Sequence, residues 1–214
     1  MRAVPRLSFE VARLDLADSV TVNDAAAVAT RAFQFDPFFV YLTRRPLLRA
    51  RGLGLFWRSQ LAALGERAEA YGARQPDGRL VGVAAWVRPG CYPLGGAAQL
   101  RQAGGALWAL LPSPRGLRDG TRYLLAIDKV HPKEPAWYLN LLVADPSAQR
   151  AGVGAALQGG VLERADLEGM PAYLETQNPD NLPYYRRFGY EVVDELRPVP
   201  HGPPLWTMRR PAAG

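Results

Sequence analysis

The sequence predicts an α/β fold of the α+β kind, a single unit built on one mixed sheet of about seven strands flanked by helices. Three observations predict it. Along 214 residues the apolar pattern switches repeatedly between a period of two and a period of three to four. A "QPDG" turn at 75–78 joins two strand-like segments, with Pro, Asp and Gly each suited to a turn position. A long apolar run, "AWYLNLLVA" at 136–144, passes through a Gly-x-Gly turn into a helix-like segment. The length suits one domain, 1–214, and is short for two.

Residues 8–14, "SFEVARL", alternate apolar and polar and read as the first strand. Val22, Ala25, Ala26, Val28, Ala29 and Phe33 mark a helix over 21–35, with Ser19 or Thr21 as its cap. "FDPFF" interrupts that helix at Pro37. A second helix over 46–67 carries Leu53, Phe56, Trp57, Leu61 and Leu64 on one side. Residues 68–74 and 79–89 form the hairpin. Residues 95–130 read as amphipathic helix broken by "PSPRG". After strand 136–144 comes a helix over 151–167, with Val153, Leu157, Val161 and Ala165 four apart. "AYLETQ" at 172–177 is a strand, and "NLPYYRRFGY" is a short helix closed by Gly189. Strands at 190–196 and 205–210 complete the order.

Composition narrows the class. Hydrophobic residues make up 48% and charged residues 21%, ordinary for a globular protein. No uncharged run approaches the ~18 residues of a membrane helix. The first fifteen residues are broken by Arg6, Glu10 and Arg13, so they hold no signal-peptide core, and a cytoplasmic protein without a membrane partner is expected. A lone cysteine, Cys91, leaves no internal disulfide. His131 and His201 lie far apart without partner cysteines, so metal-ligand spacing is absent and no metal is expected. There is neither a Gly-x-Ser-x-Gly elbow nor a P-loop. The net charge of +6 comes almost wholly from scattered arginines, the lysines being only Lys129 and Lys133. That pattern reads as a solvated surface, and no nucleic-acid partner is expected.

The stretch "DPSAQRAGVGAAL", 145–157, carries the chemistry. A strand that enters a helix through Gly152-x-Gly154 aims free backbone N–H groups and the helix dipole at one spot. Glycine removes Cβ atoms that hold an anion away, and Arg150 adds a cation. A dinucleotide fingerprint is excluded, because its third glycine position is Leu157 and too little chain follows for that fold. A bare Gly-x-Gly also fits a simple helix-capping loop.

The wider pattern resembles the GCN5-related N-acetyltransferases (GNAT). Gln149-x-x-Gly152-x-Gly154 matches their Gln/Arg-x-x-Gly-x-Gly/Ala motif. "HPKEPAWYLNLLVADPSAQRAGVGAAL", "AYLETQNPDNLPYYRRFGYEVV" and "PLWTMRRP" are similar to the same segments of the puromycin N-acetyltransferase branch, over roughly 131–211. Departures are Ala144, where the family usually has Val two positions before the proline, and Arg150–Ala151 in place of Gly-Lys. Neither removes a backbone donor.

The resemblance implies a mostly antiparallel sheet, with 1–130 as the substrate-side half and 131–211 as the acetyl-CoA-binding half. It implies an acyl-CoA N-acetyltransferase that moves an acetyl group from acetyl-CoA to a primary amine of a small molecule by direct attack, in a setting of resistance or detoxification. Coenzyme A then runs along Leu142, Val143 and Ala144, adding like a strand to a splayed edge. One N–H there, from Leu142 or Val143, polarises the thioester carbonyl. Gln149, Arg150, Ala151, Gly152, Val153, Gly154 and Ala155 cradle the pyrophosphate. Asn181 and Tyr185 share a helix face, and Tyr185 is the general acid for the leaving thiolate, with core packing as its alternative role; Tyr184 beside it reads as core. Glu175 is a candidate base or substrate contact, or a structural hydrogen-bond acceptor. Asp36 is a weaker candidate that also suits a turn cap, and His131 reads as a loop residue. Trp86, Trp137 and Trp206 read as core or pocket wall. Residues 90–130 hold only Asp119 and Asp128 as acids, against Arg101, Arg115, Arg118, Arg122 and Lys129, and so suit a mono-amine with apolar or aromatic bulk. The alternatives are a protein N-terminal or lysine acetyltransferase and a non-catalytic acyl-CoA-binding module. Monomer and homodimer both stand open.

Overall fold

The computed structural model describes residues 8–110 and 113–213. The first seven residues, with Arg6, and Leu111 together with Pro112 of the expected helix break lie outside the described residues. Seven strands form one sheet: β1 Glu10–Leu14, β2 Ala68–Arg74, β3 Leu80–Val87, β4 Trp137–Ala144, β5 Ala172–Thr176, β6 Glu191–Leu196 and β7 Leu205–Arg210. Their order is β1-β2-β3-β4-β5-β7-β6. Every neighbouring pair is antiparallel except β4 and β5. This is the mixed, mostly antiparallel sheet that the sequence predicts.

The exceptional pair opens the molecule. Parallel β4 and β5 are in register only at Trp137↔Ala172 and Tyr138↔Tyr173. Beyond Tyr138 they part, and β4 continues to Ala144 paired on its β3 side alone. A bulge helps: Ala85 pairs Leu141 and Trp86 pairs Leu139, which leaves Asn140 as an extra residue in β4. A bulged strand bends and twists more strongly than its neighbours.

Among the described residues seven helices cover the sheet: α1 Ser19–Phe33, α2 Pro37–Leu42, α3 Pro46–Leu64, α4 Gly96–Leu110, α5 Pro114–Val130, α6 Val153–Leu167 and α7 Leu182–Arg186. Helices α1 and α3 bury Val28, Leu53, Leu61 and their neighbours against one face. On the other face α6 buries Val153, Leu157, Val161 and Ala165, the residues that the sequence spaces four apart. Strand β3, "LVGVAAWV", is buried at every position, as a strand covered on both faces must be. A smaller cluster joins Phe38 and Tyr41 of α2 to Tyr123 and Ile127 of α5.

Several boundaries differ from expectation for local reasons. The cap of α1 is Asp18, not Ser19 or Thr21: its carboxylate accepts from Val20 N at 3.2 Å and Thr21 N at 2.9 Å, so the helix begins at Ser19. Pro37 does more than interrupt. It opens α2 at a position where a missing N–H costs nothing, and Asp36 caps that helix through Phe38 N at 3.0 Å. Helix α6 starts at Val153 because Arg150 and Gly152 are left-handed, with φ of 63° and 85°. Gly189, φ 83°, follows α7 as expected.

Candidate active site

The splay between β4 and β5 is the mouth of a groove of about 850 Å³. Its walls are the end of β4, the turn 148–152, the first turn of α6, and α7. Asp145 N–H donates to Val81 O at 2.8 Å. Strand alternation therefore turns the Val143 amide toward β3 as well, and the Leu142 and Ala144 amides toward the groove. Of the two donors the sequence leaves open, Leu142 is the one whose N–H faces the splay.

Asp145 anchors this end of β4. Its buried carboxylate accepts from Arg31 Nε at 2.7 Å, Arg79 Nη2 at 3.3 Å, Ser147 N at 3.0 Å and Ser147 Oγ at 2.6 Å. Burial alone would raise its pKa; the Ser147 and Arg31 hydrogen bonds outweigh that and hold it at about 2. The following turn is thereby fixed to α1 and β3.

The glycines turn out to have separate reasons. Gly152 sits at φ 85° as the residue before α6, with no side-chain cap over the first N–H groups of that helix. Gly154 lies against α7: a Cβ there would come within 2.5 Å of the Tyr184 hydroxyl. That hydroxyl accepts from Gln158 Nε2 at 2.9 Å. Tyr184, expected in the core, packs half-buried against it and also lines the groove, tying α7 to α6.

A second cavity of about 270 Å³ continues the groove inward. Leu142, Asn181, Tyr185, Phe33 and Asp36 line both spaces, so the two meet there. Asn181 is held by its Nδ2 donating to Thr176 Oγ1 at 3.1 Å. Tyr185, one turn further along, is buried, and burial pushes its hydroxyl well up, which keeps it protonated. The inner walls are aromatic, with Phe38, Phe39, Phe56 and Trp57 from α2 and α3, and Tyr92 and Tyr123 from the 90–130 region. Arg49 borders this cavity but spends its guanidinium on backbone, donating to Gln34 O at 2.7 Å and Thr43 O at 2.6 Å. It is buried, unlike the solvated arginines that the charge pattern suggests.

Two carboxylates face the inner cavity, Asp36 and Glu175. Glu175 Oε1 lies 3.4 Å from His131 Nδ1. His131 does lie in the loop after α5, but it is turned inward: its side chain is 9% exposed, and its ring packs against Tyr92 with centroids 3.7 Å apart. Asp119, one of the two acids of 90–130, is occupied elsewhere, accepting from Tyr41 Oη and Arg118 Nε, each at 2.9 Å.

A model of the acetyltransferase (GNAT) family matches residues 38–190. The chain belongs to the GNAT acetyltransferase family. It is an acyl-CoA N-acetyltransferase of that family, whose members use acetyl-CoA. A Corynebacterium glutamicum structure described as histone acetyltransferase HPA2 and related acetyltransferase is 25% identical, with a TM-score of 0.66 over 97% of this chain and 98% of that one. A Drosophila melanogaster polyamine N-acetyltransferase is 14% identical, with a TM-score of 0.57 over 95% and 100%. The ribosomal-protein-S18-alanine N-acetyltransferase of Escherichia coli is 15% identical, with a TM-score of 0.54 over 97% and 96%. The last two share the fold; they act on quite different amines.

Within this GNAT fold the sequence-predicted donor-site residues converge. Leu142, Val143, Ala144, Gln149, Arg150, Gly152, Val153, Gly154, Ala155, Asn181 and Tyr185 all border the outer groove. Ala151 does not; it packs half-buried against the core beneath α6. Of the tryptophans singled out, none borders the inner cavity. Trp86 is core, Trp137 donates to Glu168 Oε2 at 2.8 Å, and Trp206 donates to Glu195 Oε2 at 3.0 Å. Among the described residues the tryptophan that borders the inner cavity is Trp57, whose helical spacing marks it only as part of a buried face. Among the described residues no helix is long and apolar enough to cross a membrane.

Proposed function

We propose that this protein transfers the acetyl group of acetyl-CoA to the primary amine of a small molecule with apolar or aromatic bulk. One observation carries the reading: an amide-lined groove opens directly into a small aromatic cavity holding two carboxylates, and Tyr185 stands on their common wall. A volume of about 270 Å³ suits a compact ligand. Segment 131–211 supplies most of the donor groove, and 1–130 most of the acceptor cavity.

The groove fits coenzyme A. The uncapped first turn of α6 presents N–H groups to a pyrophosphate, with exposed Arg150 beside it. The Leu142 and Ala144 amides face the side along which a pantetheine arm adds as a strand. Acetyl-CoA supplies the activated acyl group as a thioester.

The chain's own groups supply the rest. The Leu142 N–H is a fixed dipole aimed at the carbonyl oxygen where charge develops. The Tyr185 hydroxyl holds the proton that the departing sulfur needs. The aromatic walls exclude water, and a carboxylate of the inner cavity, Asp36 or Glu175, receives the amine's proton.

An acetyl-CoA thiol-release assay over puromycin, 2-phenylethylamine, spermidine, an aminoglycoside and a short peptide tests the reading. Aromatic mono-amines give the highest kcat/KM. A polyamine, aminoglycoside or peptide at least ~10-fold better, more than ~1.4 kcal/mol of transition-state preference, overturns it.

A further inference from the structure

We propose that Asp36, rather than Glu175, is the carboxylate that receives the acceptor amine and takes its proton; this rests on the function proposed above. The two carboxylates differ in place and in engagement. Asp36 stands on the wall common to both cavities, beside Leu142, Asn181 and Tyr185. Glu175 borders the inner cavity alone. A nitrogen that attacks a thioester lying in the groove must come to the junction, and Asp36 is the carboxylate there.

Glu175 is already committed. Its side chain is 5% exposed and sits beside the His131 ring, with the Tyr138 and Tyr173 hydroxyls as further neighbours. The ties of Asp36 are mostly to backbone, the Phe38 and Phe39 amides. Its Oδ1 accepts from Phe38 N at 3.0 Å, and the side chain of Asn178 lies beside it. The nearest buried cation, Arg49, is turned onto the carbonyls of Gln34, Thr43 and Arg44. Among the described residues, then, Asp36 has hydrogen-bond partners but no ion-pair partner. An ammonium group is the partner that such a site lacks. Burial also raises the Asp36 carboxyl, which brings it closer to the range of a working base.

The proton balance closes. Asp36 takes one proton from the ammonium and later gives it to water. As the C–N bond forms and the C–S bond breaks, Tyr185 gives its proton to sulfur and recovers the one that the acylated nitrogen sheds. The cap role of Asp36 explains its rigidity: the hydrogen bond to Phe38 fixes the side chain at the start of α2.

Asp36→Asn keeps that cap, since Asn caps as well as Asp. It removes the charge and the proton acceptor. We expect Asp36→Asn to lower kcat/KM for 2-phenylethylamine, or for the best amine of the panel, by at least ~100-fold. The coenzyme A Kd by calorimetry and the melting temperature stay at wild-type values. Glu175→Gln is expected to cost at most ~10-fold in the same assay. Asp36→Asn within ~3-fold of wild type, with Glu175→Gln reduced at least ~100-fold, overturns the assignment and leaves the proposed function standing. A wild-type chain that binds coenzyme A and acetylates no amine of the panel overturns the proposed function itself.

Discussion

Glu175 Oε1 lies 3.4 Å from His131 Nδ1, joining β5 to the residue that ends α5. The imidazole is packed by Tyr92, Tyr138 and Tyr173, with ring centroids 3.7, 4.7 and 5.0 Å away. This makes His131 a packing residue and a partner for Glu175 at once.

His131→Ala therefore empties a packed site and strips Glu175 of its partner. We expect a loss of about 2–3 kcal/mol in chemical denaturation. The double-mutant cycle with Glu175→Gln gives a coupling of about 0.5–1.5 kcal/mol. Additive effects of the two substitutions would show that the contact carries no energy.

Gly154 separates two roles that the sequence merges. Gly154→Ala drives a Cβ against the Tyr184 hydroxyl, and we expect a cost of about 1–3 kcal/mol. Adding Tyr184→Phe removes the clashing oxygen and restores the melting temperature. If coenzyme A affinity also returns in the double variant, Gly154 serves helix approach. If affinity stays lost in a stable double variant, the glycine makes room for the phosphates.

Tyr185→Phe keeps the ring and removes the proton. Expected is a fall in kcat of ~10–10³ with the acetyl-CoA Kd unchanged. Wild-type turnover under saturating substrates, with chemistry rate-limiting, assigns Tyr185 to packing.

Asp145 sets an acid limit on stability. Its folded pKa of about 2 lies below the ordinary value of 3.8, so its contribution is fully present above pH 3.8 and is lost as pH falls through 2. The Arg31 and Arg79 side chains are about half exposed, and water screens them, so the contribution is at most about 2 kcal/mol. Denaturation at pH 5 and pH 2 shows it as a larger drop in the wild type than in Asp145→Asn, which keeps the drop owed to Glu69, Asp119 and Asp166. An equal drop in both proteins assigns the acid sensitivity to other groups.

The proposed donor half of the site was legible because it is local. The strand, the turn and the first turn of α6 are consecutive, and a backbone-built anion cradle reveals itself in glycine spacing. Even there two details needed coordinates. Tyr184, which looks like its neighbour in sequence, reaches Gly154 only because α7 crosses the start of α6. Leu142 is separated from Val143 as a donor only by the hydrogen bond that sets the phase of β4.

The sequence by itself determined the order of the strands and helices, the mixed sheet, the family and the glycine turn proposed to hold coenzyme A, because apolar period, turn chemistry and motif spacing act over a few residues of contiguous chain. Only the tertiary structure decided the inner cavity. Asp36 precedes α2, Trp57 lies on α3, His131 ends α5 and Glu175 sits on β5, and no period or spacing links them. They converge because apolar faces from both halves bury against one sheet, and side chains brought together by packing leave no mark on the sequence between them.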